Sequence, residues 1–127
     1  GGWATVALSS LNPPGVLGMI NFAGGRGGHQ KLPGGSLGNC TPSALVQAAA
    51  RYGATARVPS LWIYTANDSF FGPDLAGRMA AAYDAAGGKA NYKALPAFDR
   101  DGHSLASSSS GVSLWSPLIE SFLAGLR

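Results

Sequence analysis

Gly34-Gly35-Ser36-Leu37-Gly38 reads G-x-S-x-G, and an aspartate, Asp68, and then a histidine, His103, come after it along the chain. In that order a hydroxyl can attack an acyl carbon, an imidazole can take its proton, and a carboxylate can hold the imidazole in the right tautomer. The chemistry needs more than three side chains. The serine must stand on a tight turn fed by a strand and continued by a helix, so that Oγ is held beside backbone N–H donors. Before Ser36 stands GGRGGHQKLPG, which reads as loop, and the next helix signal, Thr41-Pro42, comes several residues too late. With 19 glycines in the chain, a chance match is common. Ser36 is expected in a glycine-rich loop over 24–40, and it stays a nucleophile candidate only through its spacing.

Cys40 is the other nucleophile candidate, since a thiolate near His103 could attack; a lone cysteine is more often an inert packed residue. His29, Asp68, Asp101 and His103, with Cys40 and Asp99 beside them, are candidate metal ligands. No H-x-x-x-H or C-x-x-C spacing supports a zinc site. An exposed imidazole–carboxylate pair can nonetheless hold Zn²⁺ or Mn²⁺ and activate water. Trp3, Trp62, Trp115, Phe70 and Phe71 read as core or pocket walls. GGRGGHQ completes neither G-x-G-x-x-G nor a P-loop, so phosphate cradling is not indicated.

These groups must be positioned by the rest of the chain, and its bulk properties narrow what that is. At 127 residues it is expected to form one domain, 1–127. Charged residues make up 12%, about half the usual share of roughly 25%, which leaves a surface poorly protected against association. The formal charge is +3, but the nine basic residues are scattered and no aromatics interleave with them, so no nucleic-acid partner is indicated. A single cysteine excludes an intramolecular disulfide. No apolar run approaches the roughly 20 residues of a membrane span, and the first ten residues lack a basic signal-peptide start, so a cytoplasmic, membrane-free protein is expected. The chain has no initiator Met, and it is expected to begin partway through a longer gene.

Proline and glycine divide the chain. Residues 3–11 read as a short helix stopped by Asn12-Pro13-Pro14-Gly15, and VLGMINFAG (16–24) as a strand buried on both faces. Thr41-Pro42 opens a helix closed by Gly53; VPSLWIYTAND (58–68) is a second buried strand. Pro73-Asp74 opens another helix, stopped at Gly87-Gly88, and ANYKALPAF (90–98) is a third strand. A polar loop then runs to Ser110, and the last helix starts at a Ser116-Pro117 cap. Alternating strands and helices predict an α/β fold, a sheet of about three parallel strands flanked by helices. In such sheets catalytic groups gather at the carboxyl ends of strands, where Asp68 and His103 fall. The plainer reading of the same residues is a loop aspartate capping a helix and a solvated loop histidine.

The stretch RVPSLWIYTANDSFFGPDLAGRMAAAYDAAGGKANYKALPAFDRDGHSL resembles the last third of an α/β-hydrolase of the dienelactone hydrolase-like family, related to the acyl-peptidase type. There an aromatic-rich strand ends in the triad aspartate, matched by Asp68, and a DGH segment carries the triad histidine, matched by His103. GGWATVALSS resembles the segment immediately after that family's nucleophile, with Gly1 and Gly2 matching the glycines that come after the serine. The resemblance covers essentially the whole chain. It implies a partial α/β-hydrolase fold that starts just after the nucleophile elbow, lacks the attacking serine, and requires no cofactor.

The expected function is therefore hydrolysis of a small-molecule carboxyl ester or phosphoester by metal- or His-activated water, using Asp68 and His103. One alternative is a catalytically silent remnant, or one chain of a split serine hydrolase; another is a small Ser36-Asp68-His103 esterase. Val16, Leu17, Met19, Ile20 and Phe22 would lie on a free sheet edge, at a cost of about 1.5–3 kcal/mol each if exposed. A homo-oligomer that completes the sheet is expected for that reason.

Overall fold

The computed structural model describes all 127 residues. Its elements run α1 (Gly2–Ser9), β1 (Met19–Phe22), β2 (His29–Lys31), β3 (Leu37–Asn39), α2 (Pro42–Thr55), β4 (Ser60–Thr65), α3 (Pro73–Ala85), β5 (Ala90–Leu95), 3₁₀ turns at Gly102–Ser107 and Ser109–Gly111, and α4 (Val112–Ala124). Three strands pair in parallel in the order β1-β4-β5, with Met19 opposite Ser60 and Ser60 opposite Ala90. This is the expected α/β class: a three-stranded parallel sheet flanked by helices.

β4 is the central strand because both its faces are apolar, and all six of its residues are buried. Trp62 and Tyr64 face a core built with α1, α2 and α3, around Leu45, Ala49, Met79 and Tyr83. Leu61 and Ile63 face the other way, toward Phe98, Leu105 and the inner side of α4. Proline at the first turn starts α2 and α3, as expected, and Gly87 at φ +118 takes the left-handed turn after α3.

Gly53 does not close α2, which runs on to Thr55 with Gly53 buried inside it, and four further features differ from the sequence reading. GGRGGHQKLPG is not all loop: His29–Lys31 pairs antiparallel with Leu37–Asn39 as an exposed hairpin. No apolar alternation announces it, because neither of its faces enters the core. Its turn is closed by Leu32 N–H to the Ser36 carbonyl at 2.8 Å, with Gly34 and Gly35 at φ +92 and +87. Second, α4 starts at Val112 and carries Pro117 inside it; the helix tolerates one missing backbone bond because Trp115, Leu118, Ile119 and Phe122 dock it on the sheet. Third, the polar segment before Ser110 winds into 3₁₀ turns, capped by Asp101.

The edge strand is the fourth correction. Only Met19–Phe22 forms β1. Met19 is buried, while Ile20 and Phe22 rest against the α4 side of the core. Leu17, at 71% exposure, is the apolar side chain of that set left in solvent. The free edge therefore carries less unburied apolar surface than five open side chains. No helix is long and apolar enough to cross a membrane.

Candidate active site

Asp68 stands three residues beyond β4, on a turn closed by its own N–H to the Thr65 carbonyl at 3.4 Å. Its side chain is fully buried. Oδ1 accepts the backbone N–H groups of Phe70 (2.9 Å) and Phe71 (2.8 Å), and Oδ2 faces Nδ1 of His103 at 3.0 Å. One oxygen thus shapes the loop while the other meets the imidazole; contrary to the plainer reading, Asp68 does not cap α3, whose N-cap is Gly72. An aspartate oxygen accepts, so His103 Nδ1 donates and Nε2 is the nitrogen with a free lone pair.

His103 comes from the far side of β5. Pro96 cannot extend the strand ladder, and the chain that leaves it is held by Asn67: Oδ1 accepts Phe98 N–H at 2.8 Å, and Nδ2 donates to the Phe98 and Asp99 carbonyls at 3.1 and 3.0 Å. Asp101 then caps the 3₁₀ turn, its Oδ1 accepting His103 N–H at 3.0 Å. Between them sits Gly102, where a Cβ would collide with Thr65 Oγ1 and come within 2.5 Å of Asn67 Oδ1. A glycine is required there by close approach.

Both loops open onto one cleft of about 610 Å³, lined by His103, Trp3, Ile20, Phe22, Phe70, Phe71, Ala106 and glycines of α1 and the segment after β1. The start of α1 lies hard against the end of β1: a Cβ on Gly2 would stand 2.5 Å from Asn21 Oδ1 and 2.8 Å from Gly24 Cα. Asn21, fully buried, fixes this wall. Its Oδ1 accepts Gly24 N–H (3.0 Å), its Nδ2 donates to Tyr64 Oη (3.0 Å), and Tyr64 donates to the Gly24 carbonyl (2.7 Å). Burial pushes the Tyr64 phenol well above the ordinary tyrosine range, so it stays a donor. No Lys, Arg, Asp or Glu side chain lines the cleft.

The remaining sequence candidates lie elsewhere. Ser36 is exposed in the hairpin turn, followed by β3 and not by a helix, and it does not line the cleft. Cys40 is exposed at the hairpin base, its Sγ accepting Gly28 N–H at 3.2 Å. His29 reaches over the site's rim: its ring stacks on Phe70 (centroids 3.8 Å apart, planes at 24°), and Nε2 lies 3.0 Å from Ser69 Oγ. Phe70 is in turn 4.8 Å from the His103 ring. Asp101 accepts Ser69 N–H at 3.1 Å and the Ser69 hydroxyl at 2.5 Å. Burial alone would raise the Asp101 pKa, but the Ser69 hydroxyl, the two backbone donors and the nearby imidazole outweigh it and hold the carboxyl below its usual range. Asp99 is exposed, and no group of three or more His, Cys, Asp or Glu side chains converges at one place.

Phe70 lines the cleft, as one of the aromatics expected in core or pocket walls, whereas Ser69 and Asn67 were not visible as site residues in the sequence. The signal was their adjacency to Asp68, which becomes informative once β4 is known to end at Thr65. A second hollow of about 530 Å³, lined by Lys89, Lys93 and the end of α4, lies at the opposite end of the sheet and holds neither dyad residue. Compared with protein-family models, curated proteins and solved structures, the chain matches none.

Proposed function

We propose that the chain carries the imidazole–carboxylate half of a hydrolytic site that acts on uncharged carboxyl esters. The carrying observation is the Asp68–His103 pair at 3.0 Å, with the imidazole on the wall of a cleft that no Lys, Arg, Asp or Glu side chain lines. His103 Nε2 takes a proton from the attacking group, and Asp68 stabilises the imidazolium that results. Neither Ser36 nor Cys40 lines the cleft, and the hydroxyl that does, Thr5 Oγ1, donates to the Gly1 carbonyl of its own helix turn at 3.4 Å, so water is the attacking group this reading assigns. Carboxyl esters suit the site better than phosphoesters: no Lys or Arg lines the cleft to hold a phosphoryl charge.

A second reading is favoured by one observation. Gly1 and Gly2 share the cleft with His103, which is the juxtaposition implied by the resemblance to dienelactone hydrolase-like enzymes. A serine hydroxyl supplied at that end by another polypeptide segment would then meet the imidazole, as in a split hydrolase.

Both are tested by assaying neutral aryl acetates and a phosphodiester on the wild-type chain and on His103→Ala, with and without chelator. Ester cleavage that falls about 10²–10⁴-fold in His103→Ala supports the dyad as general base. Loss on chelation selects a metal-bound water instead. Ester cleavage indifferent to His103→Ala overturns the reading. No cleavage by the chain alone, restored by a serine-bearing segment, selects the split enzyme.

A further inference from the structure

Asp68 and His103 sit on loops that leave different strands, β4 and β5. A pair held at 3.0 Å across two loops needs something to hold the loops together. One atom does this. Asp101 Oδ1 accepts the backbone N–H of Ser69, the residue next to Asp68, at 3.1 Å, and the backbone N–H of His103 itself at 3.0 Å. We propose that Asp101 is the positioning residue of the dyad, clamping the Asp68 loop to the His103 turn through that shared oxygen; this rests on the hydrolytic reading above.

The second carboxylate oxygen extends the clamp outward. Asp101 Oδ2 takes the single hydroxyl hydrogen of Ser69. Ser69 Oγ therefore faces His29 as an acceptor, and His29 Nε2 must carry the hydrogen it donates at 3.0 Å. The same His29 ring stacks on Phe70, which abuts His103. The circuit Asp101–Ser69–His29–Phe70–His103 closes on itself and ties the β2–β3 hairpin to the imidazole. Ser69 itself does not line the cleft.

The role is positional and not merely electrostatic, because what Asp101 supplies is an acceptor at one place. Asparagine keeps that acceptor and loses the charge. Glutamate keeps the charge and moves the acceptor by a methylene. The test uses the full chain as Asp101→Asn, Asp101→Glu and Asp101→Ala, read by the downfield imidazole N–H proton resonance of His103 and by kcat and KM on a neutral aryl acetate. Asp101→Asn is expected to keep the resonance and stay within about 3-fold of wild type in kcat. Asp101→Glu and Asp101→Ala are expected to lose or broaden the resonance and drop kcat about 10–100-fold at unchanged KM. If Asp101→Ala does not fold, the asparagine and glutamate variants still decide the matter.

An unmoved His103 resonance in Asp101→Glu, or a loss in Asp101→Asn as large as in Asp101→Glu, overturns the proposal. The two readings fail separately. If the resonance obeys this pattern while no variant, wild type included, cleaves any ester, positioning stands and hydrolysis falls. If wild type cleaves esters and Asp101→Glu matches it, hydrolysis stands and positioning falls.

Discussion

Replacing Asp68 by asparagine and by alanine should separate what the carboxylate does for the fold from what it does for the imidazole. The side chain is fully buried and takes three donors, two on Oδ1 from Phe70 and Phe71 and one on Oδ2 from His103. Asparagine can place its amide oxygen where Oδ1 stands and keep both backbone bonds. Its NH₂ then points at His103 Nδ1, which must become an acceptor, and the imidazole hydrogen moves to Nε2. A protonated Nε2 cannot take a proton from the attacking group. The whole general-base contribution, about 10²–10⁴-fold in rate, should be lost, while stability changes by under about 1 kcal/mol.

Alanine behaves differently. It strands two backbone donors, at about 1–3 kcal/mol each when no water reaches them. Phe71 is buried but Phe70 is only half-buried, and the freed His103 side chain, 39% exposed, can turn to solvent. A loss of roughly 2–4 kcal/mol is expected, or a fall in Tm of roughly 8–16 °C for a domain of this size. Circular-dichroism melts, ester rates and the ¹⁵N shifts of the His103 ring are the measurements. An asparagine variant as unstable as the alanine one would refute the division of labour between the two oxygens. One that keeps the wild-type rate would refute Nε2 as the base.

Gly102→Ala should cost about 1–3 kcal/mol, because its Cβ would overlap Thr65 Oγ1 and crowd Asn67; a wild-type melting curve would contradict the close approach. Asp101 has its pKa lowered by folding, so the stability it contributes is present above the ordinary carboxylate range and is lost as pH falls through that range and below. Urea midpoints measured from about pH 6 to pH 3 should fall less steeply in Asp101→Asn than in wild type, and parallel slopes would count against the clamp. Tyr64→Phe removes the hydroxyl shared by Asn21 and the Gly24 carbonyl and should destabilise by about 1–3 kcal/mol. In the wild type, ultraviolet titration should show Tyr64 resisting ionisation above the ordinary tyrosine range because of its burial, with Tyr92 raised by burial too. The outer edge of β1 has no partner strand, and Leu17, two residues before that strand, is 71% exposed. Sedimentation at micromolar concentration is expected to show a homo-oligomer, and a monomer would remove that expectation.

What could be read along the chain was whatever rests on local rules. β4 was legible because a run of six buried residues between Pro59 and Asn67 leaves little choice of conformation, and α2 and α3 because proline opens them and small or apolar residues repeat at helical spacing. Asp68 and His103 were legible because they fall at the ends of those strands. The hairpin was not, since its support comes from His29 lying on Phe70 and bonding Ser69, contacts that span some forty positions. The start of α4 was not, since docking of Trp115 and Phe122 outweighs the local preference of Pro117 for a first turn.

The sequence by itself determined the three parallel strands, the four helices, their order, and the two residues that could move a proton. Only the tertiary structure decided that Asp68 divides its oxygens between a loop and an imidazole, that Ser36 and Cys40 stand away from the cleft, and that Asp101 joins the two loops. The physical reason is range. Backbone preference and apolar period act over a few neighbouring residues, whereas the hydrogen bonds from Ser69 to Asp101 and from His103 to Asp68 exist only after β4 and β5 have paired and brought their loops side by side.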